Sequence, residues 1–136
     1  MDKSNTKNVE KKNTKNTMIN NEYTQIHARL SDAVLSFVQT QLGLNPLSIF
    51  IDEHENSLIV TLKNVFSDSE KHAAMDKHTA DLITRTHIEA YKSVCSILIA
   101  KVSDETGWSV EATTFFLDPT ANYASIIITI DKNNSK

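Results

Sequence analysis

Apolar residues recur at spacings of three and four early in the chain. Ile26, Leu30, Ala33, Val34, Phe37, Val38 and Leu42 fall along one stripe of a 3.6-residue repeat. The stripe predicts an amphipathic helix with Asn20 or Asn21 as its N-cap, Gly43 just past its end and Pro46 beyond. The period then drops to two. Leu47, Ile49 and Ile51 share one parity in Leu47–Asp52, as do Leu58, Val60 and Leu62 in Ser57–Lys63. With Glu53-His54-Glu55-Asn56 as a four-residue loop, these runs predict an antiparallel hairpin. Val110–Leu117 and Ala124–Ile130 repeat the design around the turn residues Asp118-Pro119-Thr120-Ala121-Asn122.

Between the hairpins, a stretch without Gly or Pro runs from about Ser67 to Glu105, with Ile88, Tyr91, Cys95, Leu98 and Val102 as its core stripe. Ser67 and Glu70 have capping-box spacing, and Gly107 marks the far end. Helix, hairpin, helix, hairpin makes two α-β-β units. The expected fold is α+β: a four-stranded antiparallel sheet with one short and one long helix on one face. Unbroken, the long helix would reach about 55–60 Å at about 1.5 Å per residue, against a radius of gyration of about 13 Å for a body this size. It must break near His72–His78, where its stripe is weakest, or pack its surplus end on another chain.

By simple alternation, the second face of the sheet carries Phe50, Ile59, Phe115, Leu117 and Ile127 among Ser48, Thr61, Thr113 and Thr129. A face open to water alternates more cleanly to polar residues. This one is therefore expected to be covered, by a second copy or by a partner protein, and a homodimer is the expected state.

Composition narrows the function. A chain of 136 residues supports one core, and a single cysteine excludes a disulfide framework or a Cys-rich zinc site. Two glycines leave no Gly-rich phosphate loop. No apolar run approaches the length of a bilayer span, and the N-terminus lacks the apolar region of a secretory signal. Residues 1–21 hold six asparagines and five lysines against Asp2 and Glu10, a net of +3. They read as a disordered basic tail ahead of a single domain over residues 22–132. The remaining residues carry nine basic and fifteen acidic side chains, a net of −6, which argues against nucleic acid as a partner.

The candidate chemistry is sparse. On an unbroken helix Asp68, His72 and Asp76 would line one face at i, i+4 and i+8, a spacing that suits a divalent metal but also an ordinary solvated face. Cys95 lies inside an apolar stripe, where a thiol is unactivated. No serine sits in a nucleophile elbow, and the carboxylates of Asp52, Glu53 and Glu55 and of Asp104 and Glu105 stand at element ends. Trp108 is placed to pin the end of the long helix to the sheet. Arg85 has Asp81 four residues before it as a partner, or an acidic group on another molecule. No enzyme, metal or cofactor is expected. The binding candidates are Phe50, Ile59, Arg85, Phe115, Leu117 and Ile127.

Several short segments carry a resemblance: the Gly43-Leu44-Asn45-Pro46 turn, Val65-Phe66-Ser67-Asp68-Ser69-Glu70-Lys71 opening the long helix, Thr84-Arg85-Thr86 within it, and Gly107-Trp108-Ser109-Val110 entering the second hairpin. In their order and spacing, over about residues 22–131, the chain resembles the MpsC-like domain family. That family is named for the third component of a bacterial sodium-translocating, membrane-potential-generating system. The resemblance carries no catalytic residues over. It implies a soluble accessory or regulatory component of an ion-coupled system, either membrane-potential-generating or taking up inorganic carbon. Such a component would act by protein–protein interaction in the cytoplasm, held at the inner face of the membrane by a membrane-protein partner, without inserting itself. Two rivals remain: a cytosolic small-ligand sensor using the second sheet face as an apolar pocket, and an enzyme using the His/Asp helix face.

Overall fold

The computed structural model describes the backbone of residues 14–135 and the side chains of residues 25–133. Residues 1–13 of the expected tail lie outside the described residues. The first helix, α1 (Thr14–Leu42), begins ahead of the expected caps Asn20 and Asn21. Leu30, Val34, Phe37 and Val38 are fully buried along its stripe. It stops at Gly43, which takes φ +66°, while the Leu44 N–H donates to the Val38 carbonyl at 3.0 Å. That bond reaches back six residues, one more than a Schellman return, and it turns Leu44 into the core.

Strands β1 (Ser48–His54) and β2 (Ser57–Lys63) pair as far as His54 opposite Ser57. The loop is therefore only Glu55-Asn56, shorter than the four residues expected, with Glu55 at φ 55°. Leu58, Val60 and Leu62 are fully buried, and Ile49 and Ile51 pack against them. Leu47 does not join them: it precedes the strand and is 82% exposed.

The long helical stretch is broken in the expected region. Helix α2 (Asp68–Ala73) opens with the capping box. The Glu70 N–H donates to Ser67 Oγ at 3.2 Å, and the Ser67 N–H donates to Glu70 Oε1 at 3.1 Å. Helix α3 (Lys77–Thr106) starts afresh because Asp76 adopts an extended conformation and caps it, accepting from the Thr79 N–H at 3.0 Å and the Thr79 hydroxyl at 2.8 Å. The helix ends at Gly107, φ 75°, whose N–H donates to the Ser103 carbonyl at 2.8 Å.

Strands β3 (Trp108–Asp118) and β4 (Tyr123–Ser135) complete an antiparallel sheet of order β1-β2-β4-β3. Helix α3 packs against α1 and β3, and α1 also reaches β1, so the helices cover one face of the sheet. One irregularity corrects the expected face assignment. Val110 stands opposite Ile130 but Ala112 stands opposite Thr129, which leaves Glu111 as an extra residue in β3. A bulge of one residue inverts the facing of every side chain after it. Thr113, Phe115 and Leu117 therefore stand opposite Ile128, Ile126 and Ala124 on the helix side, not on the second face. Phe115 stacks on Tyr91 at 4.9 Å and 10°, and Tyr91 meets Phe37 edge-on at 6.2 Å. The Tyr91 hydroxyl donates to Thr113 Oγ1 at 2.6 Å.

Candidate interaction face

Because partners across a sheet share a face, the pairing register defines the uncovered surface row by row. One row runs Phe50, Thr61, Ser125, Phe116 across β1, β2, β4 and β3. The next runs Asp52, Ile59, Ile127, Thr114, with the two isoleucines paired at the centre. On either side lie Ser48, Lys63, Tyr123, Asp118 and His54, Ser57, Thr129, Ala112. Phe50 and Phe116 are 51% and 50% exposed and stand on the two edge strands with small hydroxyl residues between them. Tyr123 is also exposed, and the Lys63 ammonium lies 5.3 Å from the centre of the Phe50 ring.

Of the residues picked from sequence, the structure brings Phe50, Ile59 and Ile127 together on this face and takes Phe115 and Leu117 away from it. Phe116 takes the place of Phe115; the missing signal was the bulge at Glu111. Arg85 sits exposed on α3, in the layer on the other side of the sheet, and no ion pair with Asp81 forms among the described residues.

The other candidate groups are occupied structurally. The break before α3 removes Asp76 from the expected helical row with Asp68 and His72. Asp76's carboxyl is held below its ordinary pKa by the hydroxyl and then the amide of Thr79. Strand alternation puts Asp52 on the open face and sends Glu53 to the other side, where it pairs with Lys132. The Lys132 ammonium also lies 5.0 Å from the centre of the Trp108 ring. Glu105 pairs with Arg29 at 3.4 Å, tying α3's last turns to α1. Cys95 is half-buried, and its thiol reaches the Lys92 carbonyl at 3.7 Å. Burial is the main cause that pushes the Tyr91 phenol above its ordinary pKa; the Thr113 hydroxyl opposes it.

Two adjoining grooves, each of about 410 Å³, lie at the end of the molecule around α2 rather than on the open face. Asn45, Asn64 and Glu70 line the first, His72 and Met75 the second, and Asp68 and Lys71 belong to both. Leu47 and Met75, the latter 77% exposed, stand at this end. Its backbone is set by Asn122, whose side chain accepts from the Phe66 N–H at 2.8 Å and donates to the Phe66 carbonyl at 3.4 Å. The apolar pocket that a sensor would need on the second face corresponds to neither groove.

Among the described residues the arrangement is an α+β layered protein with two long helices and one short helix, and those residues leave the second face of the sheet open. The family described as the Na+-translocating membrane potential-generating system (MpsC) matches residues 22–132, most of the chain, and the chain belongs to that family. No curated protein and no solved structure matches it. No helix among the described residues is long and apolar enough to cross a membrane.

Proposed function

We propose that the chain is a non-enzymatic accessory or regulatory component of a Na+-translocating, membrane-potential-generating system. It works in the cytoplasm, at the inner face of the membrane, through contact with other protein rather than by conducting ions. Family membership supports the system. The observation that carries protein contact as the mode of action is the open sheet face, with Phe50 and Phe116 exposed at opposite edges of one row.

The test is made in cells that carry the system. Deleting the chain should lower the Na+-dependent membrane potential, and a tagged full-length copy should restore it and be recovered with the membrane fraction. Phe116→Glu, which alters the open face without touching the core, should fail to restore the potential. An unchanged potential after deletion would contradict the assignment to the system. Full restoration by Phe116→Glu would contradict the role of the face.

A further inference from the structure

We propose that the open face is the interface of a homodimer whose two-fold axis runs parallel to the strands, midway between two stacked sheets. This deepens the reading above by naming what covers the face, and it rests on that face being a contact surface, not on the identity of the ion system.

A closed dimer uses the same patch on both copies, so the patch must complement itself. Rotation about an axis along the strands reverses strand order and leaves each row in place. It sets β1 over the second copy's β3, and β2 over its β4. The row Phe50, Thr61, Ser125, Phe116 then meets its own reverse: Phe50 of one copy faces Phe116 of the other, and Thr61 faces Ser125. In the adjacent row Ile59 faces Ile127, and Asp52 faces Thr114. Lys63 faces the ring of Tyr123, Asp118 faces Ser48, and no carboxylate faces another. The alternative axis, across the strands, sets Phe50 against Asp52 and Ile59 against Thr61, which buries a carboxylate on an aromatic ring. The charge pattern therefore selects the first axis.

The area sets the strength. Four strands about 4.8 Å apart and seven residues at about 3.4 Å each give a patch of roughly 450 Å² per copy. The total of roughly 900 Å² lies just below the size at which specific interfaces become stable. The dimer is accordingly one that dissociates on dilution through the micromolar range. Sheets stacked about 10 Å apart, with strands aligned to within about 30°, leave room for these side chains to interleave.

The geometry pairs position 50 with position 116 across the axis and neither with itself, which a mixing experiment reads directly. Sedimentation velocity on the full-length chain should show a concentration-dependent monomer–dimer equilibrium. Phe50→Lys and Phe116→Glu should each weaken it at least tenfold, with unchanged far-UV circular dichroism. An equimolar mixture should recover dimers, because one Lys–Glu contact and one native Phe–Phe contact form in each mixed pair. Thr61→Arg, at the centre of the face, should also abolish self-association and serves as a check if either Phe variant unfolds. A native chain that stays monomeric to about millimolar concentration, variants that dimerise like the native chain, or a mixture that stays monomeric would each overturn the proposal. None of these outcomes bears on what deleting the chain does to the membrane potential, so the assignment to the system and the dimer fail separately.

Discussion

The two faces of the sheet use much the same alphabet and meet different fates. Leu58, Val60, Ile126, Ile128 and Phe115 lie under the helices and are buried, Phe115 to 7% exposure. One residue further on, Phe116 stands half in water on the opposite side. On the covered face the apolar residues are contiguous; on the open face they are separated by Thr61, Ser125 and Thr129. Hydrophobicity alone does not assign a strand residue to a face. Register does, and a bulge can overrule parity.

The contrast can be broken most sharply in β4. Ile126→Ala empties a fully buried site and should cost about 2–5 kcal/mol in urea denaturation. Ile127→Ala, on the open face, should cost less than half of that, since its site is already partly solvated. Equal losses would mean that the open face is buried within the monomer.

Asn122 supports the sheet's end rather than either face. Asn122→Ala leaves the buried Phe66 N–H without its acceptor and should cost about 1–3 kcal/mol. A loss well below this range would show that water replaces the bond. Ser67→Ala should cost about 0.5–2 kcal/mol by removing the cap of α2. Amide exchange should quicken over Asp68–Ala73 while the core of α3 stays protected.

The smallest effect sharpens the covered face. Tyr91 ionises above its ordinary value of 10.0, with burial as the main cause. Its contribution is fully present below that value and is lost as pH rises through the folded-state pKa. Tyr91→Phe should cost about 0.5–1.5 kcal/mol at neutral pH through the lost bond to Thr113, and should flatten the fall in stability above about pH 10. An unchanged alkaline slope would place the phenol in water.

Much of the architecture was legible because local rules and long-range packing agree. Gly43 and Gly107 both adopt positive φ at helix ends, Ser67 and Glu70 form their box, and the long helix breaks where its stripe thins, with Asp76 as the new cap. Alternation also places Phe50, Ile59 and Ile127 together, because β1 pairs with β2 and β2 with β4 without interruption. It failed in β3 for a physical reason. Phe115-Phe116-Leu117 is apolar at both parities, so the segment carries no phase of its own. Only the hydrogen-bonding of β3 to β4 reveals Glu111 as the extra residue. The two-residue loop after His54 has no local signature for a related reason: Glu53 has a turn-like charge but spends it on Lys132, far along the chain. The two-fold complementarity of the rows is likewise a property of pairing between strands and has no trace in any one segment.

The central claim is that β3 changes phase at Glu111 and so turns Phe115 inward and Phe116 outward. Paired urea denaturation of Phe115→Ala and Phe116→Ala, at concentrations low enough to keep both monomeric, tests it most directly. The account predicts a loss of about 3–5 kcal/mol for Phe115→Ala and less than about 1 kcal/mol for Phe116→Ala. The reverse order, or equal losses, would contradict the register and with it the open face.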